Sequence, residues 1–101
     1  MYDTIPVKTV SPVAGQKIEV SFGQQCRGFL IKNFSSGDIY MSLDENATTT
    51  EGSVRIPSNC AQTIMSFSGG TYGNWLDGTC YIYADTTSSN SVEVQAIWEI
   101  M

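Results

Sequence analysis

The chain has no histidine and few charged residues, and both shortages narrow its chemistry. Its 101 residues include no His, and Asp, Glu, Lys and Arg together make up 15%. Without histidine, the Ser-His-Asp and Cys-His arrangements and the commonest metal ligand are excluded. The cysteines lack the C-x-x-C spacing of a structural zinc site. The sequence therefore predicts a protein that is not an enzyme and that needs no cofactor.

The basic residues are few and scattered, and the chain as a whole is acidic. Five Lys and Arg stand against ten Asp and Glu, which gives a net charge of −5 and a pI of about 4.3. Nucleic-acid binding depends on clustered Lys and Arg, so we expect neither a nucleic-acid partner nor an anionic membrane. No apolar run approaches the roughly 20 residues of a membrane span. The first residues lack the basic and apolar regions of a signal peptide, so we expect folding in a cytoplasm.

Two minor chemistries remain open to the side chains that are present. Asp44, Glu45 and Glu51 lie close together in the sequence and offer oxygen ligands to Ca²⁺, although their spacing matches no EF-hand. The alternative is a solvated acidic loop. The three cysteines, Cys26, Cys60 and Cys80, cannot form a closed set of disulfides. Cys60 and Cys80 are predicted strand residues and are expected to be buried, because free Cys is among the most buried residue types. Three reduced structural thiols are one interpretation, and a single bridge with a spare thiol is the other.

Short strands separated by polar turns run along the whole chain. Apolar residues alternate with polar ones, or form brief apolar runs, and no segment has a helical period. The predicted strands are residues 4–10, 16–22, 28–34, 38–43, 53–56, 61–67, 79–84 and 91–100. This pattern predicts one all-β domain, an antiparallel sandwich of eight strands. Jelly rolls have eight strands, so the predicted sandwich is jelly-roll-like. Residues 1–10 are an edge strand or an exchanged arm, because Pro6 cannot donate to a ladder.

The clearest local pattern is residues 27–44, where two apolar runs flank Ser35-Ser36-Gly37-Asp38. This pattern predicts a β-hairpin. The period of two along each strand then assigns a buried face. The predicted core is Ile18, Val20, Phe22, Ile31, Ile39, Met41, Leu43, Ile56, Ile82, Val92, Val94 and Trp98.

Aromatic residues outside the predicted core are the candidate contacts for a partner. Tyr72 and Trp75 lie in a glycine-rich loop, residues 68–78. This loop either plugs one end of the sandwich or presents its rings to a protein or a glycan. Tyr40, Tyr81 and Tyr83 fall on the wet faces of their strands. If those strands are neighbours, the tyrosines form a stripe that is either cross-strand packing or a subunit interface.

Several of these motifs occur in an order that resembles one family. The order is K-I-E-V-S-F (17–22), F-L-I-K-N-F-S-S-G-D-I-Y-M-S-L-D (29–44), V-R-I-P-S-N-C-A-Q-T-I (54–64), T-C-Y-I-Y-A (79–84) and S-V-E-V-Q (91–95). It is similar to small β-sandwich proteins from the structural gene clusters of tailed bacteriophages and prophages. Asn59 departs from that pattern, which usually has glycine there, and the 68–78 loop has no counterpart in it.

The resemblance implies a virion component: a capsid-decoration, head-fibre or tail-accessory module. It also implies assembly as a homo-oligomer, preferably a trimer, alongside other virion proteins in the host bacterial cytoplasm. The Tyr81/Tyr83 face and residues 4–10 are the expected contact surfaces. The second hypothesis is a small carbohydrate-binding or host-adhesion module that reads a host glycan through Tyr72 and Trp75.

Overall fold

The computed structural model describes residues 5–66 and 75–98, and these form two four-stranded antiparallel sheets. Sheet A has the order β1-β8-β3-β6 and sheet B the order β2-β7-β4-β5. No helix lies within the described residues, so the predicted all-β sandwich is confirmed. The strands are β1 Val7–Val10, β2 Lys17–Ser21, β3 Gly28–Asn33, β4 Ile39–Ser42, β5 Ser53–Ile56, β6 Cys60–Met65, β7 Thr79–Ala84 and β8 Val92–Ile97.

Strand pairing is nested along the chain. The first strand pairs with the last, β2 pairs with β7, β3 with β6, and β4 with β5. Two further pairs, β3 with β8 and β4 with β7, complete the two sheets. The result is a long antiparallel ribbon folded over on itself, which favours the jelly-roll interpretation. That finer topology stays a prediction.

The core lies between the two sheets and draws side chains from both. Eight predicted core residues are buried: Val20, Ile31, Ile39, Met41, Ile56, Ile82, Val92 and Val94. Three more, Ile18, Phe22 and Trp98, are partly buried and pack against this cluster. Sequence analysis missed Phe29, which shares the inward face of β3 with Ile31 and is completely buried.

Leu43 is the one predicted core residue that is wrong, because its side chain is 42% exposed. The alternation that placed it inside ends one residue earlier, since β4 stops at Ser42. The Ser42 hydroxyl donates to the carbonyl oxygen of Asp44 across 3.0 Å. This bond turns the chain away from the strand direction, and Leu43 leaves the inward face.

The predicted hairpin over residues 27–44 is also wrong, although both of its strands exist. The β3 strand pairs with β6 and β8 in sheet A, whereas β4 pairs with β5 and β7 in sheet B. The turn at residues 35–38 therefore crosses from one sheet to the other. Both sides of β3 are occupied by other strands, so no ladder position is left for β4.

The side chain of Asn33 organises this crossing. It is 1% exposed. Its Nδ2 donates to the carbonyl oxygens of Gly37 and Ile56, each across 2.9 Å. Its Oδ1 accepts from the backbone N–H of Ser35 at 2.9 Å and from the Ser35 hydroxyl at 2.6 Å. A residue of sheet A thus holds both the crossing turn and the end of β5 in sheet B.

Replacing Asn33 by alanine should destabilise the fold strongly. The substitution leaves buried carbonyl and N–H groups without partners, and each such group costs about 1–3 kcal/mol. We expect urea unfolding to show a loss of at least about 3 kcal/mol for Asn33→Ala. The matched control is Asn46→Ala in an exposed loop, where a surface change stays within about 0.5 kcal/mol. Equal stability of the two variants would contradict the role given to Asn33.

Candidate functional site

Trp75 lies at the surface beside a small concavity. Its side chain is 44% exposed. The Arg27 guanidinium lies 3.9 Å from the centre of its ring, a cation–π contact that covers one face. A concavity of ≈ 250 Å³ is lined by Gln24, Gln25 and Trp75. The concavity is thus lined by one aromatic residue and two glutamines.

Backbone contacts hold the two sides of this concavity together. Cys26 and Leu76 exchange two backbone hydrogen bonds, with N···O distances of 3.0 and 2.8 Å. Gly78 has a φ of 88°. A Cβ at Gly78 would lie 2.0 Å from the Gln24 carbonyl oxygen. Only glycine lets the two segments approach this closely, so Gln24 is fixed close to Trp75.

Two adjacent residues of the loop behave differently, and only one of them fits the plug interpretation. Leu76 is partly buried and packs against the core, whereas Trp75 remains at the surface. Tyr72, the other aromatic candidate of this loop, lies outside the described residues. Among the described residues of this loop, Trp75 is the aromatic one, and it is placed where it can meet a partner.

Tyr40 and Tyr83 form a stripe on the outer face of sheet B. They are direct cross-strand partners in β4 and β7, with ring centres 6.2 Å apart. Lys17 pairs with Tyr83 from β2, and Arg55 pairs with Tyr40 from β5. One row across the sheet thus places the tyrosine pair between two cations, and the stripe expected from neighbouring strands is present.

Tyr81 belongs to the next row, between Glu19 of β2 and Ser42 of β4. Desolvation, followed by the nearby carboxylates of Glu19 and Glu45, raises the pKa of its phenol. The phenol therefore stays protonated over the physiological range and is a hydrogen-bond donor. Tyr81 and Tyr83 share the outer face, so this candidate surface exists as one patch.

The acidic loop does not gather its carboxylates around a common point. Within the described residues no three His, Cys, Asp or Glu side chains are placed to hold a metal ion. Asp44 uses its Oδ1 to accept from the Asn46 N–H at 2.9 Å. Lys17 closes over the loop, donating from Nζ to the carbonyl oxygens of Glu45 and Ala47. Asp44, Glu45 and Glu51 therefore act as loop residues in this structure.

Sequence analysis missed an apolar patch on the outer face of sheet A. Gly28 of β3 pairs with Met65 on one side and Ile97 on the other. In the next row Leu30 pairs with Gln95, which in turn pairs with Val7. The sheet A patch, as we call it, consists of Val7, Leu30, Met65 and Ile97. The continuous apolar run of β3 was the available signal, since it indicates a strand that is covered on both faces.

The three cysteines are free thiols in two different environments. Cys26 and Cys80 are buried, and desolvation raises the pKa of both thiols, that of Cys80 to about 12. Cys60, which we expected to be buried as a strand residue, is exposed. It lies at the start of β6, an edge strand in which five of the six residues are exposed.

No family model matches this chain, and neither a curated protein nor a solved structure is significantly similar to it. In the part of the chain that the structure describes, no helix is long and apolar enough to cross a lipid bilayer.

Thiol labelling should separate the three cysteines. At pH 8 a thiol reagent should modify Cys60 alone in the folded protein, because Cys26 and Cys80 are buried and stay protonated. Cys60→Ser should abolish native labelling, and denaturant should restore reaction at the other two thiols. Rapid labelling of two or more native thiols would contradict this burial pattern.

The free energy of unfolding should fall as the pH rises from 9 to about 12. In this range the Cys80 thiol ionises in the unfolded chain but stays protonated in the folded protein. Urea unfolding at several pH values checks this.

Proposed function

We propose that this protein is a structural module of a tailed-phage particle and that it acts by self-assembly. The ordered motifs of strands β2 to β8 support the phage assignment through their resemblance. The two-sheet sandwich is compatible with it, since eight-stranded double sheets occur in viral capsid proteins. The observation that carries the proposal is the sheet A patch.

The sheet A patch is unusual because the outer faces of a sandwich normally carry polar residues. Val7 is 43% exposed and Met65 is 38% exposed, and Leu30 and Ile97 on the same outer face are half-buried. Apolar side chains grouped on one outer face suit a contact with another protein. Subunit interfaces between identical chains are the more apolar class of contact, which suits a second copy.

Charged residues frame the sheet A patch in a way that suits identical copies. Lys32 of β3 lies directly opposite Glu93 of β8 in the row beside Leu30. Opposite charges as neighbours on one face let a second copy place each charge near its complement. The Tyr81/Tyr83 face of sheet B is then available to further copies or to other virion proteins.

A charge placed in the sheet A patch should weaken assembly. We expect the wild-type protein at tens of micromolar to have a multiple of the 11.0 kDa chain mass by light scattering. Val7→Glu should lower the mass of the assembly because burial of the patch against another copy would desolvate the new carboxylate. Val54→Glu is the matched control, since Val54 is 39% exposed and lies on β5 of the other sheet.

A wild-type monomer at that concentration would overturn the proposal. Equal dissociation of the two variants would remove the sheet A patch as its basis. The phage assignment has a separate test in the neighbouring genes: capsid and tail genes beside this one support it, and unrelated metabolic genes argue against it.

The concavity beside Trp75 supports a second candidate function, the binding of a neutral glycan. Arg27 covers one face of the Trp75 ring, and Trp75 also lines the concavity. Sugars bind through an aromatic ring together with a few polar groups that fix orientation. Gln24 and Gln25 supply amides of that kind at this place.

Trp75→Ala should abolish glycan binding if this second function holds. A panel of neutral oligosaccharides at millimolar concentration, followed by tryptophan fluorescence and by calorimetry, should show binding to the wild-type protein. Phe34→Ala is the matched control, because Phe34 is an exposed aromatic residue away from the concavity. Absence of binding to the wild-type protein, or its survival in Trp75→Ala, would remove this candidate.

A further inference from the structure

The four edge strands differ in how they are protected against pairing with another chain. Edges are commonly guarded by charged residues, which oppose the approach of a second strand. On β1 that residue is Lys8, which shares the inward face with Val94 and donates from Nζ to the Ser21 carbonyl oxygen at 2.6 Å. The β2 strand carries Lys17 and Glu19.

Two edges lie on the other side of the sandwich, β5 in sheet B and β6 in sheet A. The β5 strand is guarded by Arg55. The β6 strand, Cys-Ala-Gln-Thr-Ile-Met, contains neither a charge nor a proline. Five of its six residues are exposed. It is thus the unguarded edge among the described strands.

The backbone of β6 has hydrogen-bonding groups directed away from the sheet. The Ser66 N–H donates to the Arg27 carbonyl oxygen at 2.7 Å, which continues the β3–β6 ladder. In an antiparallel ladder, residues alternate between those bonded to the partner and those that face away. Thr63 therefore turns its N–H and C=O outward, and so does Met65. The Thr63 carbonyl oxygen accepts from Nε2 of the exposed Gln62 side chain at 3.2 Å, a contact that the N–H of a paired strand would replace. Within residues 5–66 and 75–98, β6 ends the strand order of sheet A.

We propose that β6 pairs antiparallel with β6 of a second copy. This contact, the β6 joint, makes one continuous sheet out of the two copies of sheet A. Outward N–H and C=O groups are satisfied by an extended backbone, so the partner is a strand. The inference rests on the proposed self-assembly and names the edge through which it occurs.

Charge and symmetry indicate that the partner strand is β6 of a second copy of this chain. An antiparallel pair of identical strands is related by a twofold axis, so each residue near the axis meets itself or a close neighbour. Self-pairing of β5 would bring Arg55 near its own copy, and self-pairing of β1 would do the same with Lys8. Like charges opposite one another are destabilising. In β6 the facing residues are neutral throughout.

The contact also extends the sheet A patch. Met65 belongs both to β6 and to the patch, so pairing places the patches of the two copies side by side on one face. A twofold contact of this kind closes on two copies. The β6 joint therefore predicts a dimer as the basic unit, where the family resemblance implies a trimer.

Two threonines provide a matched test. Thr63 lies on β6 with its N–H directed outward. Thr9 lies on β1, the opposite edge of sheet A, and the Ala96 N–H donates to the Pro6 carbonyl oxygen at 2.9 Å. By the same alternation, Thr9 also directs its N–H outward. Both side chains are exposed. Proline is tolerated at such edge positions, where it removes only the outward donor.

Thr63→Pro should convert the dimer, twice 11.0 kDa, to the monomer by light scattering, whereas Thr9→Pro should remain dimeric. The pair Thr63→Lys and Thr9→Lys should behave in the same way, which protects the test against a folding defect in either proline variant. Circular dichroism should show an unchanged β spectrum for each variant that is compared.

Hydrogen exchange provides an independent readout on the unmodified protein. The Thr63 and Met65 amides should exchange slowly at high protein concentration and at least tenfold faster on dilution into the monomer range. Concentration-independent exchange at both amides would overturn the β6 joint.

The outcomes separate this inference from the proposed function. If Thr9→Pro dissociates the assembly and Thr63→Pro does not, self-assembly stands and occurs through β1, and the β6 joint is wrong. A monomeric wild-type protein would contradict both the proposed self-assembly and the β6 joint. If the Thr63 variants dissociate and the Thr9 variants do not, the result supports both hypotheses.

Discussion

Burial of the Asn33 amide is the constraint on which the arrangement of the two sheets depends. A buried amide must find partners for its donors and its acceptor, because unpaired polar groups inside a protein are costly. Asn33 finds them in the 35–37 turn and in the Ile56 carbonyl oxygen. The next residues in sequence are thereby directed out of sheet A. The core, the two outer faces and the edges all follow from this crossing.

Much of the fold could be predicted from the sequence because a period of two is a local property. Strand positions and most inward residues, such as Ile31, Ile82 and Val94, follow from alternation alone. Strand partners do not, since pairing depends on residues far apart in the chain. The run before Asn33 and the run after it look like the two arms of a hairpin. The strand pairing shows that they belong to different sheets, and the buried contacts of Asn33 hold the crossing between them.

The candidate surfaces were less predictable for a related reason. Alternation distinguishes the solvent-exposed face of a strand from its buried face. It does not predict how far the inward face of an edge strand is buried. Cys60 was expected to be buried for this reason, and it lies on the exposed edge β6. The sheet A patch combines Val7, Leu30, Met65 and Ile97 from four strands. No local pattern in the sequence brings those four residues together.

The nested pairing also has a kinetic consequence. Among the described strands, β4 and β5 are the pair closest in sequence, and each outer pair must close a longer loop. Loop closure costs entropy before distant contacts can repay it, so folds of this kind form slowly. The strand pairs should therefore form in order from β4–β5 outward, and β1 should pair with β8 last. Until β3 pairs with it, β6 is an uncharged strand without a partner. Slow formation of the β3–β6 pair would therefore favour aggregation over folding.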